Sequence, residues 1–220
     1  ARRGRLRYSS TRDFGRALER ALRRAGVPMA YSAGFHPHPK ISYANGAATG
    51  AASEAEYFEI SVTERVDPDA LGRALDAALP DGLDIVAVVD AEPGALADRL
   101  QASRWLLEFP GVELADLERA VEGFLAEERV EVSRMFKRGM KSYDAREPVI
   151  RAETGLSDEG CAILTMVVRH TTPAVRPDDV LSAITAATSF APTRSPKATR
   201  LAQGIWSSET ESVADPLATD

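Results

Sequence analysis

The strongest constraint on how this chain can fold is the alternation of two hydrophobic periods along it. Four segments repeat apolar residues at helical spacing, and strand-like runs bracket each of them. From Thr11 to Ala25, the residues Phe14, Ala17, Leu18, Ala21, Leu22 and Ala25 share one helical face. Ser10 or Thr11 can cap that helix, and Gly26 followed by Pro28 ends it. Asp67-Pro68 opens a second helix with Leu71, Ala74, Leu75, Ala78 and Leu79 inward, closed by Pro80-Asp81-Gly82. Leu114, Leu117, Val121, Phe124 and Leu125 define a third. Pro177-Asp178-Asp179 opens a fourth, which runs through Val180, Leu181 and Ile184.

Between these lie the strand candidates. The start, Ala1-Arg2-Arg3-Gly4, leads into a strand-like segment, and Met29 to Ser32, Ile41 to Ala44, Tyr57 to Thr63 and Leu83 to Val89 follow. The pattern then restarts with Trp105 to Phe109, Val130 to Phe136, an extended stretch from Lys141 to Ile150 broken by Pro148, Cys161 to His170, and Thr199 to Trp206. The order strand–helix–strand–strand–helix–strand thus occurs twice, with an extra hairpin in the second copy. It predicts an α+β fold of two tandem ferredoxin-like (βαββαβ) units with antiparallel sheets. The expected divisions are residues 1–92, 93–206 and an acidic, mobile tail at 207–220.

Several function classes are excluded. The one cysteine, Cys161, permits no internal disulfide, no Cys-only zinc site and no iron–sulfur cluster ligated by this chain alone. Cys161 itself reads as a buried strand residue. No apolar run is long enough to span a membrane, and the start lacks the apolar core of a signal peptide, so the expected location is cytoplasmic. There is no Gly-x-Ser-x-Gly, no phosphate-binding loop ending in Gly-Lys-Ser/Thr, no His-Glu-x-x-His, and no Gly-x-Gly-x-x-Gly between a strand and a helix. No cofactor or metal is implied, and an accessory role is favoured over catalysis.

Charge is distributed unevenly. The net charge is −6, yet residues 1–44 hold ten Arg/Lys against Asp13 and Glu19, a local +8 that leaves −14 for the rest. Arg12, Arg16, Arg20 and Arg23 recur at helical steps and share the face opposite the apolar one. Such a stripe suits an anionic partner, although arginines also decorate solvated helices. A second basic cluster contains Arg134, Lys137, Arg138, Lys141, Arg146 and Arg151 against Asp144 and Glu147, with Met135, Phe136 and Tyr143 interleaved. Basic residues mixed with aromatics suit single-stranded RNA, while charge on an edge hairpin also guards against edge-to-edge pairing.

The segment Ala33-Gly34-Phe35-His36-Pro37-His38-Pro39-Lys40 is the most unusual. Prolines hold His36 and His38 extended. Phosphate or base contact, proton transfer and metal ligation are all open to these imidazoles. His170, the only other histidine, sits late in a strand.

Arg20-Ala21-Leu22-Arg23-Arg24-Ala25-Gly26-Val27-Pro28, then Ala30 through Ser42, then Ser53-Glu54-Ala55-Glu56-Tyr57 resemble the radical SAM-linked protein family, a bacterial domain of unknown function fused to or encoded beside radical SAM proteins. Its actinobacterial stand-alone branch is similar, including Thr199-Arg200-Leu201-Ala202-Gln203-Gly204. Ser10 and Asp13 match a Ser-His-x-Asp helix start in which Thr11 stands for the histidine. His38 matches the family pattern, and Asp144 and Arg146 resemble an Asp-x-Arg element. The resemblance also implies a further strand ahead of Arg5. It implies a radical SAM protein as partner, and with Cys161 the only cysteine any radical chemistry belongs to that partner.

The expected function is an RNA-binding accessory module in RNA maturation or modification. Its contact residues would be Arg12, Arg16, Arg20, Arg23, Tyr31, Phe35, His36, His38, Lys40, Lys137, Arg138, Lys141 and Arg146. The alternatives are a module that docks on a radical SAM enzyme without RNA, and a His-dependent RNA-processing enzyme using His38 with Asp144 or Arg146.

Overall fold

The computed structural model describes residues 1–137 and 139–218. It is a mixed α+β chain that separates into two compact units, Ala1–Leu100 with the segment from Pro216, and Gln101–Asp215. The division falls at residue 100 rather than 92.

In unit 1 the chain opens with a 3-10 turn, Gly4–Tyr8, and not with a strand. Helix α1, Thr11–Arg24, follows. Ser10 is its cap, and its Oγ accepts the Asp13 N–H at 3.2 Å. Gly26, at φ +66, ends it in a Schellman motif, with Val27 N–H donating to Leu22 O (3.1 Å) and Gly26 N–H to Arg23 O (3.2 Å). Strand β1 (Ile41–Ala44), the short β2 (Ala52–Ser53), β3 (Tyr57–Ile60), helix α2 (Pro68–Ala78) and one turn of helix, α3 (Leu96–Arg99), complete the unit. Asp67 caps α2 by accepting the Ala70 N–H at 2.7 Å. The core consists of Leu18, Ala21 and Leu22 from α1, Met29, and Leu75 and Ala78 from α2, with Phe14, Phe58, Ile60 and Leu71 packed around them.

The sheet of unit 1 is smaller than expected: β1 and β3 pair antiparallel, Ile41 opposite Ile60. Elsewhere pairing shrinks to isolated bridges, Arg2 with Ser53 and with Leu83, Met29 with Val62, and Tyr31 with Pro39. Leu83 to Val89 is therefore not a strand beyond Leu83. Val86 and Val89 are exposed, at 70% and 45%, and the Ile85 N–H goes to the Asp76 carboxylate instead of to a neighbouring strand. β-branched residues favour a sheet only where a sheet is there to receive them.

Unit 2 contains β4 (Ala102–Phe109), α4 (Leu114–Ala126), β5 (Glu131–Phe136), β6 (Gly139–Asp144), β7 (Val149–Leu156), β8 (Ala162–Arg169), α5 (Pro177–Thr188), β9 (Lys197–Ser207) and β10 (Ser212–Ala214). Its main sheet runs β10-β9-β4-β8-β7, with antiparallel neighbours throughout. Within the β-α-β-β-α-β string β4, α4, β7, β8, α5, β9, the four strands take the spatial order 4-1-3-2. The β5–β6 hairpin is inserted after α4 and pairs only with itself. Helices α4 and α5 pack on each other, and Leu117, Val121, Phe124, Val180 and Ile184 are buried with Phe109, Leu107, Leu164 and Met166.

The tail is ordered over much of its length. Ser212–Ala214 pairs with Ser207, Trp206 and Ile205, and Leu217 packs against Ala44, Leu96 and Leu100. The hydrophobic pair Val213 and Leu217 overrides the polar composition that suggested mobility. Cys161 is partly exposed and lies just ahead of β8 rather than within it.

Candidate nucleic-acid interface

The apolar face of α1 orients its basic one. Because Leu18, Ala21 and Leu22 are buried, Arg12, Arg16, Arg20 and Arg23 point away from the core, and all four are exposed. None of them forms an ion pair within 4 Å among the described residues. Asp13 instead holds the Ser10 hydroxyl at 2.7 Å. That bond, helped by the Arg16 and Arg12 charges, holds its carboxyl below the ordinary value against the opposing effect of burial.

The His-Pro-His-Pro segment runs from the tip into the returning arm of a stapled hairpin. Ser32 N–H donates to His38 O (2.8 Å), His38 N–H donates to Ser32 Oγ (3.0 Å), and Lys40 N–H donates to Ala30 O (2.9 Å). Residues 33–37 form the tip, with Gly34 at φ +118. Phe35 is 101% exposed and Tyr31 55%, and His36, His38 and Lys40 are exposed as well. The strand leaving this hairpin, β1, brings Tyr43 onto α1: its ring meets Phe14 edge-on at 6.0 Å.

Tyr43 is the contact that sequence reasoning missed. It is 41% exposed, and a Cβ on Gly15 would lie 3.3 Å from its hydroxyl. Burial, and then the charge of Glu19, raises its pKa. Gly15 was the available signal, since a glycine inside a helix costs about 1 kcal/mol relative to alanine and so marks a close approach.

The second basic cluster divides. Lys137 and Lys141 are exposed, with Lys141 Nζ 5.6 Å from the Phe136 ring centroid. Arg138 lies outside the described residues. Arg146 is not a free contact residue. It is half-buried, its guanidinium donates to Val149 O (3.1 Å) and Leu125 O (3.2 Å), and it stacks over Phe124 at 5.7 Å. Arg146 thereby ties the β6–β7 corner to the end of α4.

The residues suggested for catalysis are not brought together within one unit. His38 belongs to unit 1, Asp144 and Arg146 to unit 2. The Asp144 carboxylate is occupied by the N–H groups of Val130 (3.0 Å), Arg146 (2.9 Å) and Glu147 (3.3 Å), an ordinary turn role. His170 meets Ser103, with Oγ and Nε2 2.7 Å apart, but Ser103 is 2% exposed and offers no open face. Among the described residues no cluster of three or more His, Cys, Asp or Glu could hold a metal, and no helix is long and apolar enough to cross a membrane.

No curated protein matches the chain. A family model does: it spans residues 1–177, which covers α1, the stapled hairpin, the inserted β5–β6 hairpin and the sheet as far as the start of α5. The chain belongs to the family described as an uncharacterized protein conserved in bacteria, DUF2344.

Proposed function

We propose that this chain is an RNA-binding accessory module that holds RNA for a separate processing or modifying enzyme. One observation carries the reading: four exposed arginines on one face of α1 form no ion pair within 4 Å among the described residues, although the charges of Arg12 and Arg16 act on Asp13. Guanidinium groups left open to solvent in a row are suited to successive phosphates. The stapled hairpin adds Tyr31, Phe35, His36, His38 and Lys40, and unit 2 offers Lys137 and Lys141 as further exposed cations. The partner enzyme is proposed to be a radical SAM protein, on the resemblance of residues 10–60 alone.

The tandem plan belongs to the same reading. In unit 2 the 4-1-3-2 strand order supports a ferredoxin-like unit carrying an inserted hairpin. In unit 1 the bridges Leu83–Arg2 and Met29–Val62 are compatible with a reduced form of that plan, while Arg2 bridges Ser53 of β2 rather than β3.

The test is affinity of the purified chain for bacterial RNA across a salt series. Binding that weakens steeply with salt supports the proposal, because phosphate neutralisation releases counterions. No binding at low salt overturns it. A protein partner that co-purifies after nuclease treatment, with no RNA affinity, would favour docking on an enzyme instead.

A further inference from the structure

We infer that the hairpin of residues 30–40 selects unpaired nucleotides, with one base stacked on Phe35. This rests on the RNA reading above and narrows it from RNA in general to single-stranded segments.

A phenylalanine at 101% exposure gains nothing for the fold, since none of its ring is removed from water. The backbone on either side of Phe35 is restrained. The Ser32–His38 and Ala30–Lys40 hydrogen bonds close the base of the tip, and Pro37 and Pro39 restrict the residues before them. The ring is therefore presented on a preorganised loop, and ordering it on binding costs little.

The surroundings select the occupant. Along the chain no Asp or Glu occurs between Glu19 and Glu54, and the hairpin's own exposed polar side chains are Lys40, His36 and His38, although β3 beside it carries Glu59. An apolar protein pocket could receive a phenyl ring, but it has no use for the exposed Lys40, His36 and His38 on the same hairpin. A nucleobase with its phosphates matches both features at once, the flat apolar face and the positive charge. Within an A-form duplex the base faces are stacked on one another and the major groove is too narrow for side chains. Only an unpaired base offers Phe35 its face.

The test compares a short unstructured RNA with the same strand annealed to its complement, using the full chain, Phe35→Ala and Phe35→Trp. The parent is expected to prefer the single strand. Phe35→Ala is expected to weaken single-strand binding on the order of tenfold to a hundredfold, leaving duplex binding and the salt slope unchanged. Phe35→Trp should restore it. Thermal unfolding should be the same in all three, because the ring touches nothing in the fold. Equal parental affinity for both probes, an unaffected Phe35→Ala, or an equal loss on both probes would overturn the inference while leaving RNA binding standing. If the parent binds neither probe, the RNA reading falls as well. If Phe35→Ala keeps its RNA affinity but loses a co-purifying protein, a protein pocket covers the ring and the inference is wrong.

Discussion

Arg134 on β5 and Asp179 in the first turn of α5 form an ion pair whose side chains are only 20% and 8% exposed. The same carboxylate accepts the Arg176 N–H at 2.8 Å, and the guanidinium donates to Ala174 O at 3.0 Å while lying 4.8 Å from the Phe136 ring centroid. One arginine of the second basic cluster therefore fastens the inserted hairpin to a helix start. Asp179→Ala leaves the guanidinium half-buried without a counter-charge, and unit 2 should lose about 3–5 kcal/mol. Replacing both residues by apolar ones should cost much less. Urea denaturation of the two variants measures this, and a single-variant loss below about 1 kcal/mol would mean the pair behaves as a solvated one.

Tyr143, opposite Val132 in the same hairpin, carries a pH signature. Burial, and then the Asp179 carboxylate, pushes its pKa up to about 12. A phenol whose pKa is higher folded than unfolded keeps its proton longer in the folded state. Its contribution is complete below about pH 10, the unfolded value, and is lost as pH rises towards 12. Stability should fall across that window by ~2 kcal/mol more in the parent than in Tyr143→Phe. Parallel curves for the two proteins would remove Tyr143 as the cause.

Helices α4 and α5 meet where Gly123 faces Thr188. A methyl group on Gly123 would lie 2.7 Å from Thr188 Cγ2, so close that the Thr188 side chain or the helix spacing must shift. Gly123→Ala should cost about 1–3 kcal/mol despite the better helix propensity of alanine. Thr188→Ser removes the clashing methyl and keeps the hydroxyl that donates to Ile184 O at 2.7 Å. The double variant should recover most of the loss, and a denaturant cycle over the four proteins reads the coupling.

Gly15→Ala should behave in the opposite way. At 3.3 Å the obstacle is the far end of the Tyr43 side chain, which can shift by a few tenths of an ångström. The helix then gains up to ~1 kcal/mol, and the melting temperature should rise by a few degrees. A fall in melting temperature would mean that Tyr43 is held more rigidly than its 41% exposure implies.

Local chemistry was legible in the sequence, and long-range pairing was not. Ser10, Gly26 and the apolar spacing define α1 to within a residue because cap, stop and face are encoded side by side. The strand order of unit 2 follows from element order, yet the separation of β5–β6 from the main sheet depends on partners far along the chain. Leu83 to Val89 reads as a strand by composition and fails for want of a neighbour. Arg146 looks identical to Lys141 in sequence. Only tertiary structure brings the Leu125 and Val149 carbonyls to its guanidinium. The exposure of Arg12, Arg16, Arg20 and Arg23 was legible because the opposite face of the helix is apolar.

Those arginines give the sharpest test of function. Arg16, Arg20 and Arg23 are exposed, and none donates a hydrogen bond or forms an ion pair among the described residues. Changing all three to Gln keeps comparable helix formers on a solvated face, so stability should move by less than about 1 kcal/mol. Each arginine that neutralises a phosphate in the parent adds roughly 0.7 to 0.9 to the slope of log affinity against log salt, and its removal should subtract the same amount. The triple variant should therefore bind RNA more weakly at low salt and with a shallower slope, while its unfolding curve overlays the parent's. His38→Ala should separate from it. If the imidazole touches a base, affinity falls at an unchanged slope; if it is catalytic, binding stays intact and turnover alone falls. A triple variant with parental affinity and parental slope would reduce the stripe to the solvated face of a helix, and the proposed function would fail with it.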